Sequence, residues 1–193
     1  MTRLVGRSAL AAVVLTLVFG VAFPVVITGI AHVVFPNRSN GSLIERNGTV
    51  VGSMLAGQKF TSARYFHSRP SAVDYNAAGT SFANYGPTSS ELRKSVSAAA
   101  HAVLKAERPY NPDLTLGAIP VDAVTTSASG IDPHISPAYA RLQAARIASV
   151  RGLSKDRVLQ LIDDNTDGRS LGFLGEPGVN VLELNLALDK ESA

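Results

Sequence analysis

SALAAVVLTLVFGVAFPVVITGIA, Ser8 to Ala31, is an uncharged run, and its reading decides where the rest of the chain must lie. About 24 residues at roughly 1.5 Å per residue reach about 36 Å, enough to cross a hydrocarbon core about 30 Å thick. Leu, Ile, Val and Phe dominate the run, and their gain on insertion outweighs the penalties of Thr16, Gly20 and Pro24. The sequence therefore predicts a transmembrane helix over residues 8–34, preceded by a tail of residues 1–7 and followed by one domain of residues 35–193. A cleaved signal peptide fits less well. The run is about twice the usual apolar length of such a leader, and no clean A-x-A site follows it before Pro36. Arg3 and Arg7 precede the helix and only Arg38 closely follows it, which predicts a cytoplasmic N-terminus and an extracytoplasmic domain.

The charge balance narrows the partners. Of 18 Lys and Arg, two lie before the apolar run, whereas all 15 Asp and Glu lie after it. The domain is thus nearly neutral and has no basic run, which argues against a nucleic-acid partner. With no cysteine, the chain has neither disulfides nor thiolate metal ligands.

The helix exit, Phe35 to Gly48, is rich in Pro, Asn, Gly and Ser, and Asn47-Gly48 between Leu43-Ile44 and Val50-Val51 predicts a hairpin. Phe60 to Pro87 then lacks sustained periodicity, yet holds Phe60, Tyr65, Phe66, Tyr75, Phe82 and Tyr85. So many aromatics predict an ordered segment, packed either on the domain's own core or on a partner. Within it Arg69 is expected to be fixed by a carboxylate or by backbone carbonyls, since its rigid fork of donors suits tying down a loop.

Three helices should follow. Thr88 to Glu91 reads as a capping box opening a helix to about Arg108, with Leu92, Val96, Ala99, Val103 and Leu104 inward. Ser136-Pro137 opens a second, ending near Gly152, with an inner face close to Leu142, Ala145, Ile147 and Val150. Ser154 caps a third carrying Val158, Leu159 and Ile162. The tail VNVLELNLAL, Val179 to Leu188, alternates in a way that favours a strand, while Val181, Leu184 and Leu188 would also form a helical stripe. The expected class is α+β, one membrane helix before a mixed α/β domain.

Few residues point to chemistry. Asp132, His134 and Ser136 hold the components of a catalytic triad within five positions, as a tethered hydrolase would require. Neighbours so close in a turn point in different directions, and triad members usually converge from separate parts of a fold. Ser136 already serves as a helix cap. His67, His101 and His134 show no HExxH spacing, and Gly168 to Gly178 lacks the Lys-Ser/Thr of a Walker loop. The residues predict no catalytic group, metal or resident cofactor. An independent membrane-anchored binding protein remains an alternative, favoured by the aromatic segment and lacking a ligand motif.

YFHSRPSA (Tyr65 to Ala72), YNAAGTSFANYGPTSSEL (Tyr75 to Leu92), SASGIDPHISP (Ser127 to Pro137) and VNVLELNLALD (Val179 to Asp189) resemble, in order and spacing, the C subunit of the Kdp potassium-transporting P-type ATPase, the KdpC family. The resemblance covers nearly the whole chain. It implies an accessory subunit of an ATP-driven potassium uptake complex in the bacterial inner membrane. Its partners there would be a channel-like subunit, a P-type catalytic subunit and a small single-helix subunit, with ATP and K+ as substrates of the complex. The chain has no DKTGT, the sequence that carries the phosphorylated aspartate of P-type ATPases. The family's proposed role is a catalytic chaperone that raises ATP affinity of the catalytic subunit, and the position matching its implicated nucleotide contact is Gln143. The topology expected from Arg3 and Arg7 puts Gln143 on the side away from ATP, so the residues themselves favour an exposed or capping glutamine. Gly20, Pro24 and Gly29 in the membrane helix, and Tyr65, Phe66, Arg69, Tyr75 and Tyr85 beyond it, are the candidate structural and partner contacts.

Overall fold

A computed structural model describes residues 2–46, 48–81 and 83–191. The chain divides into two units, Met1–Val51 and Gly52–Ala193.

The first unit begins with helix α1 (Thr2–Leu17), passes through a π-helical turn (Val18–Ala22) and continues as α2 (Phe23–Val34). Together they form one helix of 33 residues, long and apolar enough to cross a membrane. The π turn has a local cause. Pro24 has no N–H to return to the turn before it and its ring crowds that turn's carbonyl; widening the turn, with Phe23 N–H bonded to the Val18 carbonyl, relieves the clash without breaking the helix. A single turn, α3 (Pro36–Ser39), is closed by the Ser39 hydroxyl on the Pro36 carbonyl at 3.0 Å. β1 (Leu43–Arg46) then pairs with β2 (Thr49–Ser53). The expected hairpin is present, with Gly48 at φ 74°, while Asn47 lies outside the described residues.

The second unit is built on helix α5 (Pro137–Arg151). Helix α4 (Ser90–Glu107) precedes it, and α6 (Lys155–Asp164) and α7 (Val181–Glu191) follow it. A small antiparallel sheet of β3 (His134–Ile135), β4 (Thr166–Asp167) and β5 (Gly178–Asn180) has β5 in the centre, with Ile135 and Thr166 both opposite Val179. Phe66, Ile135, Ile147, Val158, Ile162, Val179, Leu184 and Leu188 meet in one core. Each large apolar side chain contributes about 1.5–3 kcal/mol by leaving water.

The helix ends follow the cap residues. Ser136 and Ser154 accept the Tyr139 and Arg157 amides, and Gly152 closes α5 at φ 69°, a left-handed conformation that glycine takes without Cβ strain. Three expectations are corrected. The cap of α4 is Ser89, not Thr88: its hydroxyl accepts the Leu92 amide, one residue later than the capping-box reading. The inner face of α5 is Ala140, Ala144, Ile147 and Ala148, while Val150 is exposed and Leu142 and Ala145 are half-buried. Small alanines allow close helix approach, and the other buried positions are the aromatic Tyr139 and the polar Gln143 and Arg146. Finally, the Val179–Leu188 tail is a strand for only its first residues and then a helix. Asn180 ends β5 and caps α7 by accepting the Glu183 amide at 3.2 Å, and the stripe Val181, Leu184, Leu188 then wins over the alternating leucines.

Candidate functional site

The irregular segment that carries most of the candidate residues is ordered by side chains in place of strand pairing. The Phe66 ring is fully buried. Its amide donates to Asn185 Oδ1 at 2.8 Å, and its carbonyl accepts from Asn185 Nδ2 at 3.0 Å. Gln143 repeats the arrangement one residue on: the His67 amide donates to Gln143 Oε1 at 2.7 Å, and Gln143 Nε2 donates to the His67 carbonyl at 3.1 Å. Two buried carboxamides, one from α7 and one from α5, thus satisfy two consecutive residues as a β-ladder would.

Arg146 lies one turn on from Gln143 and completes the clamp. Its guanidinium donates to Glu107 Oε1 (2.8 Å), Gln143 Oε1 (2.7 Å), and the carbonyls of Tyr65 (2.9 Å) and Ala63. The pair is almost completely buried; Glu107 Oε2 finds no partner, and burial pushes the carboxyl up from its ordinary range while Arg146 pulls it back. Arg151 holds the outer edge, donating to the Arg64 carbonyl (2.7 Å) and Asp189 (3.0 Å), with its guanidinium 5.0 Å from the centre of the Tyr65 ring. The Tyr65 hydroxyl in turn donates to Asp189 at 3.2 Å.

Farther along, Arg69 is fixed as expected, by Asp132 at 3.0 Å and by the carbonyls of Thr125 and Thr126. The Tyr75 hydroxyl donates to the Arg69 carbonyl. The Ser71 hydroxyl donates to the Gly130 carbonyl at 2.6 Å; Gly130, at φ 72°, has no room for a side chain because Val73 and Ser81 lie against it. Tyr65, Phe66, Arg69 and Tyr75 therefore bind this chain's own fold. Tyr85 is exposed, and Phe82 lies outside the described residues. Arg69→Ala should lower thermal stability by about 1–3 kcal/mol, as loss of a half-buried charge-assisted contact to Asp132 and two carbonyls requires, and Arg69→Lys by less. Equal melting temperatures of the two variants would contradict this.

Gln143 is 0% exposed and both ends of its carboxamide are engaged, so the reading of an exposed or capping glutamine is corrected. In this geometry it has no surface to offer a nucleotide. The clamp residues Asn185, Arg146 and Glu107 were missed in the sequence because polar residues on an amphipathic helix are assigned to its wet face. The available signal was the spacing of Gln143 and Arg146, which shares a face with Ala140 and Ile147.

His67 is half-buried, and burial together with the Arg146 charge holds its pKa below 6.5. A folded-state pKa below the unfolded one adds stability that is complete above about pH 6.5 and is lost as pH falls toward the folded value. The melting temperature should fall between pH 7 and pH 5.5, and fall less in His67→Gln. Parallel pH profiles for the two proteins would exclude His67 as the cause.

On another face, Asp122, Asp132, His134, Ser136, Asp167 and Glu176 line an open hollow of about 580 Å³. The triad order is not made. Both the amide and the hydroxyl of Ser136 donate to Asp122, at 2.7 and 2.9 Å, and His134 lies between Asp132 (3.9 Å) and Asp167 (3.8 Å). Ser136 is a helix cap held by a carboxylate, not a hydroxyl held by a base. Among the described residues, no cluster of three or more His, Asp or Glu could hold a metal ion.

Comparison with known proteins agrees with the resemblance carried by these segments. The family described as KdpC, K+-transporting ATPase, c chain, matches residues 5–190. A Potassium-transporting ATPase KdpC subunit of Rhodospirillum rubrum is 51% identical over 178 residues, covering 91% of this chain and 90% of that protein. The Myxococcus xanthus protein of the same name is 50% identical over 187 residues, covering 95% and 86%, and that of Koribacter versatilis is 47% identical over 184 residues, covering 94% and 92%. With the family matched from residue 5 to residue 190 and half the residues shared with these relatives, the chain belongs to the KdpC family.

Proposed function

We propose that this chain is the non-catalytic accessory subunit of an ATP-driven potassium uptake complex. Its helix Thr2–Val34 spans the membrane, and its α/β unit lies on the extracytoplasmic side with the channel-like, P-type catalytic and small single-helix subunits as partners. Family membership supports the assignment, and a chain without DKTGT is in keeping with phosphorylation on another subunit. The chain stabilises the assembly and raises the ATP affinity of the catalytic subunit from a distance.

The observation that carries this indirect mode is the complete burial of Gln143, whose carboxamide is used up in holding His67 and Arg146. An accessory domain that binds the transport states of its complex unequally shifts nucleotide affinity without touching nucleotide. A coupling of about 1–3 kcal/mol changes affinity by roughly 5- to 150-fold.

The chain has no cysteine, so single cysteines at the exposed positions Ala98 and Lys190 report topology without background. An impermeant maleimide should label both in spheroplasts without lysis. Labelling that appears only after the membrane is breached would place the domain inside and overturn this arrangement.

A further inference from the structure

Between β4 and β5 the chain makes a short, closed tip that the fold does not use. The Ser170 and Leu174 backbones exchange two hydrogen bonds of 2.9 Å, the Gly172 amide donates to the Arg169 carbonyl at 3.0 Å, and an Arg169–Glu176 ion pair of 2.7 Å closes the neck. At its end Leu171 is 83% exposed, Phe173 68% and Leu174 49%. Leu171 also has φ 54°, a region a leucine rarely enters. Three large apolar side chains are thus held out in water by an ordered loop, whereas lone surface apolar residues need no such scaffold.

The surroundings select what the tip fits. Between residues 163 and 176 there are four carboxylates; Asp163 is paired with Arg141 and Glu176 with Arg169, which leaves Asp164 and Asp167 without a guanidinium in an ion pair with them among the described residues. The hollow beside the tip adds Asp122, while Asp132 in the same hollow is paired with Arg69. A bilayer surface rich in anionic lipid repels such a collar, and membrane-inserting apolar elements are flanked by Lys and Arg instead. An apolar anchor inside an acidic rim matches a protein surface with an apolar socket beside Lys or Arg.

We propose that the Leu171–Phe173–Leu174 tip, with its acidic collar, is a docking element that enters an apolar, basic-rimmed socket on another protein subunit of the complex. This rests on the accessory-subunit reading above.

The test places the photo-crosslinker p-benzoylphenylalanine at Phe173 in the full-length chain in cells, with Leu116, also exposed, as the control position. The expected result is a light-dependent adduct from position 173, and not from 116, with a polypeptide that also copurifies with this chain in mild detergent without irradiation. The mapped site should contain Lys or Arg beside apolar residues. Asp164→Lys/Asp167→Lys, which leaves the Arg169–Glu176 neck intact, should reduce the adduct at least fivefold with an unchanged melting temperature. Adducts with lipid only, no adduct despite copurifying subunits, or a yield indifferent to the charge reversal would overturn the docking role and leave the subunit assignment standing. A chain that purifies with no companion polypeptide would overturn both.

Discussion

Arg146→Met is expected to destabilise the α/β unit by about 3–5 kcal/mol, because it leaves the buried Glu107 carboxylate without its counter-charge. The carbonyls of Ala63 and Tyr65 lose their donor in the same step. For a unit of this size the loss amounts to a fall of roughly 10–15 °C in melting temperature. The second half of the prediction separates a pair effect from simple loss of packing. Arg146→Met/Glu107→Leu removes both charges, so it should regain at least half of the loss, since well-packed apolar replacements of buried ion pairs are often neutral. Thermal unfolding of the native chain, both single variants and the double variant closes the cycle. A double variant as unstable as the sum of the singles would show that the two side chains do not act together.

Phe66→Ala is the other large change, about 3–5 kcal/mol for a fully buried aromatic side chain. Its place at the centre of the irregular segment gives the effect a location. Without the ring, the Asn185 and Gln143 carboxamides must hold residues 66 and 67 by hydrogen bonds alone. Amide exchange should therefore rise first and most across residues 60–75, while the amides of α5 and α6 stay protected. Uniform acceleration over the whole unit would mean that the segment and the helices unfold together.

The long apolar helix, the serine caps of α5 and α6 and the order of Phe66 and Arg69 were legible because each follows from a local rule: hydropathy, a hydroxyl before a helix, an aromatic that must be covered. The clamp was not legible. Its logic is tertiary, for Gln143, Arg146 and Asn185 are polar residues on helix faces turned inward only because an unpaired backbone at 63–67 needs partners there. The tail misled for a related reason. Leucines at 182, 184, 186 and 188 alternate, yet Asn180 three residues before Glu183 marks a helix start, and local capping outweighed the period-two pattern.

The π turn at Val18–Ala22 changes which residues share a side of the long apolar helix. In an unbroken α-helix each residue advances by about 100°, so Ala12 and Ala31, nineteen positions apart, would point about 100° away from each other. A turn that absorbs one extra residue takes back about that angle and brings the two into line. Thr16, Gly20 and Pro24 fall close to the same line, and a Cβ built at Gly20 would lie 3.8 Å from the Thr16 methyl. The small residues Ala12, Thr16, Gly20 and Ala31 thus share one side of the helix, while Gly29 turns toward the opposite side. A leucine at Gly20 would fill that small-residue side, and a leucine at Gly29 would leave it unchanged.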